Sequence, residues 1–380
     1  MHVVVVGAGI LGASTAYHLA RHGARVTVVD QAHEGRATAA GAGIICPWVS
    51  GVEDPVFYRL YTEGARYYDD LIPALAELGE TDVGFRRVGA LVVSSDTADL
   101  SAFHSKLELR RTDTPEMGTT SLLTPRDARA LFPPLRPDFA AVHVAGGARV
   151  EGRRMAAGLL RAALHHGATP LEGHAELMAS GDRVIGVRVR GEIIAADRVV
   201  AAAGAWAPSL LQPLGLALPI EPQRGQIVHL QMPGLDTRAW PVILPPGSHY
   251  LLAFDDSRIV AGATRETGTG FDYRVTASGQ SEVLAEALHV APGLATATII
   301  ETRVGFRPVG PDVRPLIGYA RGLDGLLIGN GLGAAGLTIG PFAGRLLADA
   351  ALGREPLLDL DPFDPLRRGV SGLGPHASLR

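Results

Sequence analysis

The sequence predicts an α/β fold in which one domain, built on a buried parallel sheet, is assembled from discontinuous segments. A second, α+β domain with a mixed or antiparallel sheet fills the gaps between them. Three observations predict this. A continuous β-branched run, Val3–Val6, opens the chain and passes through a glycine turn into an apolar-periodic helix from about Ile10 to Arg21. Two further runs of the same buried character, Arg198–Ala203 and Leu326–Gly329, lie far along the chain, each followed by a Gly- and Ala-rich turn. Unbroken apolar strands of this kind belong to parallel sheets covered on both faces. Finally, the intervening stretches mix helical periodicity with strand alternation, as an inserted α+β unit does.

The elements follow in order. Gly23 stops the first helix as a C-terminal cap, and Arg25–Val29 is the next strand, ending on Asp30, so the chain opens with a βαβ unit. Pro55–Leu78 reads as one or two helices, with Tyr58, Tyr61, Tyr67, Tyr68 and Leu71 on the apolar face. Phe85–Ser94 reads as a strand, Asp99–Leu109 and Arg153–His166 as helices, Arg183–Ala196 as a hairpin, and Ile220–Thr264 as β-rich. Leu337–Leu352 is the last helix. The expected division is 1–50, 145–215 and 305–365 for the first domain, 51–144 and 216–304 for the second, and a loose tail over 366–380.

A chain of 380 residues with 47% hydrophobic and 19% charged residues can bury one large core or two moderate ones. A formal net charge of −4 argues against nucleic acid and against an anionic membrane surface. Cys46 is the only cysteine, which excludes an internal disulfide and a Cys-rich zinc site and suits a reducing cytoplasm. The first strand begins at His2 without the flanks of a signal peptide, so a cytoplasmic protein is expected. The uncharged stretches Val199–Ile220 and Gly325–Gly344 are broken by Gly and Pro and read as buried strand–loop–helix segments.

Gly7-Ala8-Gly9-Ile10-Leu11-Gly12 fits G-x-G-x-x-G between a strand and a helix. There, the first glycine permits a tight turn, the second lets a pyrophosphate approach the backbone, and the third lets helix and strand lie close. The diphosphate would rest on the helix N-terminus, where free N–H groups favour negative charge. Asp30, eighteen positions after Gly12, is placed to accept from ribose hydroxyls and would repel a 2′-phosphate. The glycines alone do not separate NAD from FAD. Two further segments favour FAD: the small-residue loop Gly35–Ile45, on which a long cofactor can lie, and Gly331–Gly336, which opens the last helix towards the same cleft. A second helix N-terminus suits the electron-rich end of a reduced flavin.

With these segments, the chain resembles the D-amino-acid oxidase superfamily, closest in pattern to glycine oxidase and the D-amino-acid dehydrogenases. Matching stretches run in order along most of the chain: Gly7–Gly12, Asp30, Arg36–Ile45, Val199–Trp206, Arg224-Gly225-Gln226, Tyr250-Leu251, Gly305-Phe306-Arg307-Pro308, Pro311-Asp312, Pro315–Gly318 and Gly331–Gly336. The resemblance implies a Rossmann-type FAD-binding domain holding non-covalent FAD. The expected cofactor contacts are Gly7, Gly9, Ile10, Leu11, Gly12, Asp30 and Gln31 in the first unit, and Arg36, Ala37, Thr38, Ala42, Gly43 and Ile44 in the small-residue loop. Gly204 and the run Gly331, Leu332, Gly333, Ala334, Ala335, Gly336, Leu337 and Thr338 complete them.

An amine oxidase of this kind leaves the chemistry to its flavin and must hold the substrate, so no catalytic side chain is expected. Arg307 resembles the family's carboxylate-binding arginine, whose planar fork suits two-pronged pairing; the alternative is a structural ion pair with Glu301 or Asp312. Tyr250 matches the tyrosine that assists that arginine in glycine oxidase. Ala334 stands where glycine oxidase has a basic residue. Trp48, Tyr58 and Tyr61 either line the pocket or belong to the core. Cys46 invites a covalent flavin link, but the family's covalent cysteine lies in a late segment, which leaves a buried inert thiol. The sarcosine-oxidase branch favours oxygen with a lysine near the flavin, whereas Lys106, the only lysine, sits in a charged helix and reads as solvated. His18 and His22 have metal-binding spacing but no third ligand, so no metal is expected and both read as solvated.

The leading expectation is oxidation of a small amino acid (D, achiral or N-substituted) to the imino acid, with O2 or a quinone as electron acceptor. One alternative substitutes a 2-hydroxy acid. Another makes the chain the FAD-carrying subunit of a heteromeric amine or opine oxidase; a homo-oligomer is also open.

Overall fold

The computed structural model describes residues 1–367. Six strands form one sheet in the order Leu316–Tyr319, Leu326–Asn330, Arg198–Ala201, His2–Val6, Arg25–Asp30, Thr169–Glu172. All neighbours are parallel except Leu316–Tyr319, which returns antiparallel on Leu326–Asn330. The valine run is buried on both faces, as its unbroken apolarity predicts. Val3 and Val5 face the helices Ile10–Arg21, Gly152–His165 and Gly336–Ala351. Val4 and Val6 face a three-stranded antiparallel sheet, Ala175–Ser180, Arg183–Val189 and Glu192–Ala195, through Leu177, Val184 and Val187. The expected hairpin is therefore two strands of a covering layer. The first and last helices touch closely: a Cβ on Gly344 would meet Ser14 at 2.6 Å, and the Ser14 hydroxyl donates to the Pro341 carbonyl at 2.6 Å.

Eight further strands form the second sheet, which runs from Thr298–Val309 through Glu221–Gln231, Arg258–Gly262 and Tyr250–Ala253 to Val242–Leu244, Ala90–Ser94, Ala140–Val144 and Thr120–Leu123. Only the contact between Val242–Leu244 and Ala90–Ser94 is parallel. Helix Ala277–Val290 covers one face with Val283, Ala287 and Val290 against Val228, Ile259 and Ala261. The strand Thr298–Val309 runs through residue 305, where the sequence places a domain boundary. Chain architecture is thus mixed α/β, with two sheets meeting around the glycine loops.

Several elements differ from expectation. Phe85–Ser94 is two strands, Arg86–Arg87 and Ala90–Ser94, broken at Gly89 with φ +77°. Of the one or two helices expected over Pro55–Leu78 there are two, Pro55–Arg66 and Tyr68–Glu77, the first capped by the Asp54 carboxylate accepting from the Phe57 N–H at 2.8 Å. Leu366 and Arg367, assigned to the tail, are anchored: Arg367 pairs with Asp312 at 2.5 Å and donates to the Pro315 carbonyl. The rest of the expected tail, 368–380, lies outside the described residues. Among the described residues no helix is long and apolar enough to cross a membrane, and no cluster of His, Cys, Asp and Glu could hold a metal ion. His18 corrects the expectation of a solvated side chain. It is 2% exposed and its Nε2 shares a hydrogen bond of 2.7 Å with the Tyr67 hydroxyl, while His22 is exposed.

Candidate active site

The first glycine loop is shaped by backbone contacts. Gly7 has φ +107°, which L side chains rarely adopt. A Cβ on Gly12 would lie 1.9 Å from the Gly7 carbonyl oxygen, so helix and strand approach as only glycine permits. Gly9 differs: a Cβ there would meet only Thr38 Oγ1, at 3.3 Å. Asp30 holds the loop from the neighbouring strand. One carboxylate oxygen accepts from the Ala8 N–H at 2.6 Å, and the other accepts from the Ala32 N–H at 2.6 Å and Arg36 Nη1 at 3.2 Å. Thr38 Oγ1 accepts from the Ile10 N–H at 3.0 Å. The N–H groups of Leu11 and Gly12 have no protein acceptor among the described residues. The open position at Gly9 and these free donors at a helix N-terminus fit a diphosphate.

The second glycine loop opens on the same space. Gly331 and Gly333 have φ +70° and +51°, and a Cβ on Gly333 would meet nothing within 4 Å. The Asn330 side chain braces the loop, donating to the Gly204 carbonyl at 2.8 Å and accepting from the Gly331 N–H at 2.8 Å.

A continuous cavity of about 450 Å³ runs from the first loop past the second to Tyr250 and Arg307, within the range of small-molecule and cofactor sites. The residues named from the sequence all line it except Gly12, Gly331, Ala335 and Thr338. Gly12 is used in helix–strand packing, Ala335 is buried, and the Thr338 hydroxyl donates to the Ile44 carbonyl at 3.1 Å. Tyr61 lines the cavity, while Trp48 is a core residue at 1% exposure and Tyr58 is half-buried outside it. Cys46 lies on the wall, where burial pushes its thiol up to about 12. Lys106 is exposed and does not line the cavity.

At the far end, Arg307 projects from Thr298–Val309 across Gly225 of the neighbouring strand. Its Nη1 donates to the Thr264 carbonyl at 3.1 Å, and Tyr250 is within hydrogen-bonding contact. Neither alternative ion pair forms: Glu301 pairs with Arg303 and Asp312 with Arg367, and Arg307 has no carboxylate partner among the described residues. Burial lowers the Arg307 pKa; Tyr250 opposes this and Arg265 adds to it. A guanidinium remains protonated through any such shift, so the cavity ends in a half-buried cation with no carboxylate partner among the described residues.

Arg265 is a cavity residue that the sequence reading missed. The flanking side chains explain its direction. The Thr264 hydroxyl donates to Glu266 Oε1 at 2.8 Å, so these two share one face of an extended segment and Arg265 takes the other. His33, Trp206 and His174 also line the cavity, with His33 stacked on Trp206 at 4.4 Å between ring centroids. Arg265 lies three residues beyond the strand Arg258–Gly262, outside any strand alternation that could have given its direction.

Comparison with known proteins agrees with this geometry. A family model described as FAD dependent oxidoreductase (DAO) matches residues 2–350. The crystal structure of iminodiacetate oxidase from Chelativorans sp. BNC1 superposes with a TM-score of 0.93 at 52% identity, covering 99% of this chain and 100% of that one. An uncharacterised oxidoreductase of Bacillus subtilis is 49% identical, over 95% of this chain and 98% of its own length. A glycine oxidase of Pseudomonas aeruginosa is 36% identical, over 96% and 99%. With two glycine loops facing one cavity and a family match along nearly its whole length, the chain belongs to the D-amino-acid oxidase (DAO) family of FAD-dependent oxidoreductases, enzymes that act on amino-acid-like substrates.

Proposed function

We propose that the chain oxidises a small amino acid to its imino acid, with N-substituted glycines as the preferred class. The observation that carries this is Arg307: a half-buried guanidinium at the end of the cofactor cavity, without a carboxylate partner among the described residues. A substrate carboxylate would supply the missing anion, in two-pronged pairing. Arg265 adds a second positive charge, and Tyr250 steadies the first from the side. The preference for an N-substituted amine draws on the 52% identical iminodiacetate oxidase, whose named substrate is a glycine carrying an N-carboxymethyl group.

Bound FAD supplies a two-electron acceptor for the hydride leaving the substrate's α-carbon. Gly9 and Leu11 would hold its diphosphate, Asp30 its ribose, and Gly333 and Gly336 its far end; no cysteine is needed to tether it. The chain's own task is then to bind and orient. Arg307 and Arg265 fix the carboxylate, which sets the direction of the α-carbon. Ile44, Ile227, Leu244 and Ala263 on the wall keep water out. The reacting amine must be neutral, since its lone pair assists bond cleavage, so activity should rise with pH towards the substrate amine's pKa. O2 or a quinone would serve as the electron acceptor; Lys106 is exposed and does not line the cavity. A single buried thiol suits a cytoplasmic setting.

The test is anaerobic flavin bleaching against glycine, N-substituted glycines, D- and L-amino acids, 2-hydroxy acids and amines without a carboxylate. Fast reduction by N-substituted glycines and only slow reduction by the decarboxylated amines supports the proposal. Preferential reduction by hydroxy acids would replace it, and no reduction by any member without an added protein would point to a heteromeric subunit.

A further inference from the structure

Behind the wall that carries Arg307 and Arg265 lies a part-buried polar network that the chemistry above does not use. Glu266 is its centre. Its Oε2 accepts from Arg224 Nη2 at 2.5 Å and Nε at 3.2 Å, and its Oε1 accepts from Gln226 Nε2 at 2.7 Å and the Thr264 hydroxyl at 2.8 Å. Thr264 Oγ1 also accepts from the Gln226 N–H at 2.9 Å, and the backbones of Arg224 and Glu266 exchange two hydrogen bonds of 2.9 Å. Arg224 reaches on to Asp272 at 2.8 Å, and Gln226 to Thr276 at 2.9 Å. Arg224 is 5% exposed, and Gln226 and Thr264 are fully buried. Burial disfavours the Glu266 carboxylate, but its hydrogen bonds from Arg224, Gln226 and Thr264 outweigh that and lower its pKa.

Residues 264–266 are therefore clamped from one face, at both ends of a three-residue segment. The other face presents the Arg265 side chain to the cavity, and the Thr264 carbonyl receives Arg307 at 3.1 Å. We propose that Glu266 and Arg224 are positioning residues, which set the geometry of the two cavity arginines by fixing the segment between them. This rests on the assignment of Arg307 to a substrate carboxylate. Every partner of Glu266 is a donor, so the chemistry requires an acceptor-only group: a glutamine would turn one contact into a donor facing a donor. Arginine is required opposite because one guanidinium must serve both Glu266 and Asp272.

The test compares the FAD-loaded wild type with Glu266→Gln, Arg224→Lys and Arg307→Ala. The first readout is equilibrium binding of methoxyacetate, a carboxylate in which an ether oxygen replaces the reacting nitrogen, by calorimetry. The second is the KM-against-kcat split for an N-substituted glycine and its decarboxylated analogue. The expected result is methoxyacetate binding weakened ~10- to 100-fold by Glu266→Gln, with less loss in Arg224→Lys. The decarboxylated amine should be oxidised by the variants as it is by wild type. If Arg307→Ala weakens methoxyacetate while Glu266→Gln does not, the positioning role is overturned and the assignment of Arg307 stands. If neither weakens it, the assignment of Arg307 itself fails. A Glu266→Gln variant that slows both substrates equally would be a folding defect and would also overturn the proposal. Should Glu266→Gln not fold, Thr264→Val, which removes the bridging hydroxyl and keeps the carbonyl, is read by the same criteria.

Discussion

The guanidinium of Arg307 lies across Gly225, so closely that a Cβ there would come within 2.4 Å of Nη1. Gly225 has no left-handed backbone that would exclude alanine, and the three atoms nearest such a Cβ all belong to the end of the flexible Arg307 side chain. Gly225→Ala should therefore keep the fold and shift Arg307. We expect kcat/KM for amino acids to fall ~10- to 100-fold, with thermal unfolding nearly unchanged. Steady-state kinetics with an N-substituted glycine checks this; unaltered kinetics would mean that the position of Arg307 does not matter.

Asp30 does more than face a ribose. Its carboxylate already accepts from Ala8, Ala32 and Arg36, so it shapes the glycine loop as well as the cavity wall. Asp30→Ala should weaken flavin retention by about 1–2 kcal/mol through lost charge-assisted hydrogen bonds. Flavin released on serial dilution, measured by fluorescence, gives the comparison with wild type, and equal retention would contradict a role for this carboxylate.

Cys46 lines the cavity, yet its thiol is pushed up to about 12 by burial and is a poor nucleophile at neutral pH. The flavin should accordingly be non-covalent. Acid precipitation is expected to leave all the yellow colour in the supernatant, while colour retained by the pellet would show a covalent bond.

His18 gives the protein an acid-sensitive core. Burial, followed by the charges of Arg345 and Arg21, lowers its pKa from 6.5 to about 3. Because the folded state resists protonation that the unfolded state accepts, the contribution is fully present above 6.5 and is lost as pH falls towards 3. That amounts to about 2 kcal/mol between pH 7 and pH 5. His18→Gln cannot titrate and still offers an acceptor to the Tyr67 hydroxyl, so its urea midpoint with saturating FAD should fall less over this interval. A loss equal to that of wild type would contradict the assignment.

The parts of this molecule legible in the sequence are those that the backbone dictates. Gly7 and Gly12 are demanded by a positive φ and a close approach, and the valine run by burial on both faces, so motif and hydrophobic pattern suffice. The strand Thr169–Glu172 escaped because it is an exposed edge strand that tolerates Pro170, and its alternation is lost. His18 was misread because what buries it is Tyr67, a long-range partner invisible to local spacing. Arg265 lies just beyond a strand and is exposed, and it is the Thr264–Glu266 hydrogen bond and the long-range bonds from Arg224 and Gln226 to Glu266 that leave its side chain on the cavity side. Thr338 and Ala335 sit in the right loop but turn into the core, a matter of helix phase that a motif does not fix.

The central claim is that Arg307 holds a substrate carboxylate. The direct measurement is anaerobic stopped-flow flavin reduction in wild type and Arg307→Ala, using one amino acid and its decarboxylated analogue. The account predicts a loss of about 3–5 kcal/mol in kcat/KM for the amino acid, partial recovery in Arg307→Lys, and almost no change for the analogue. Equal slowing of both substrates would make Arg307 a structural residue and would contradict the placement of the substrate site.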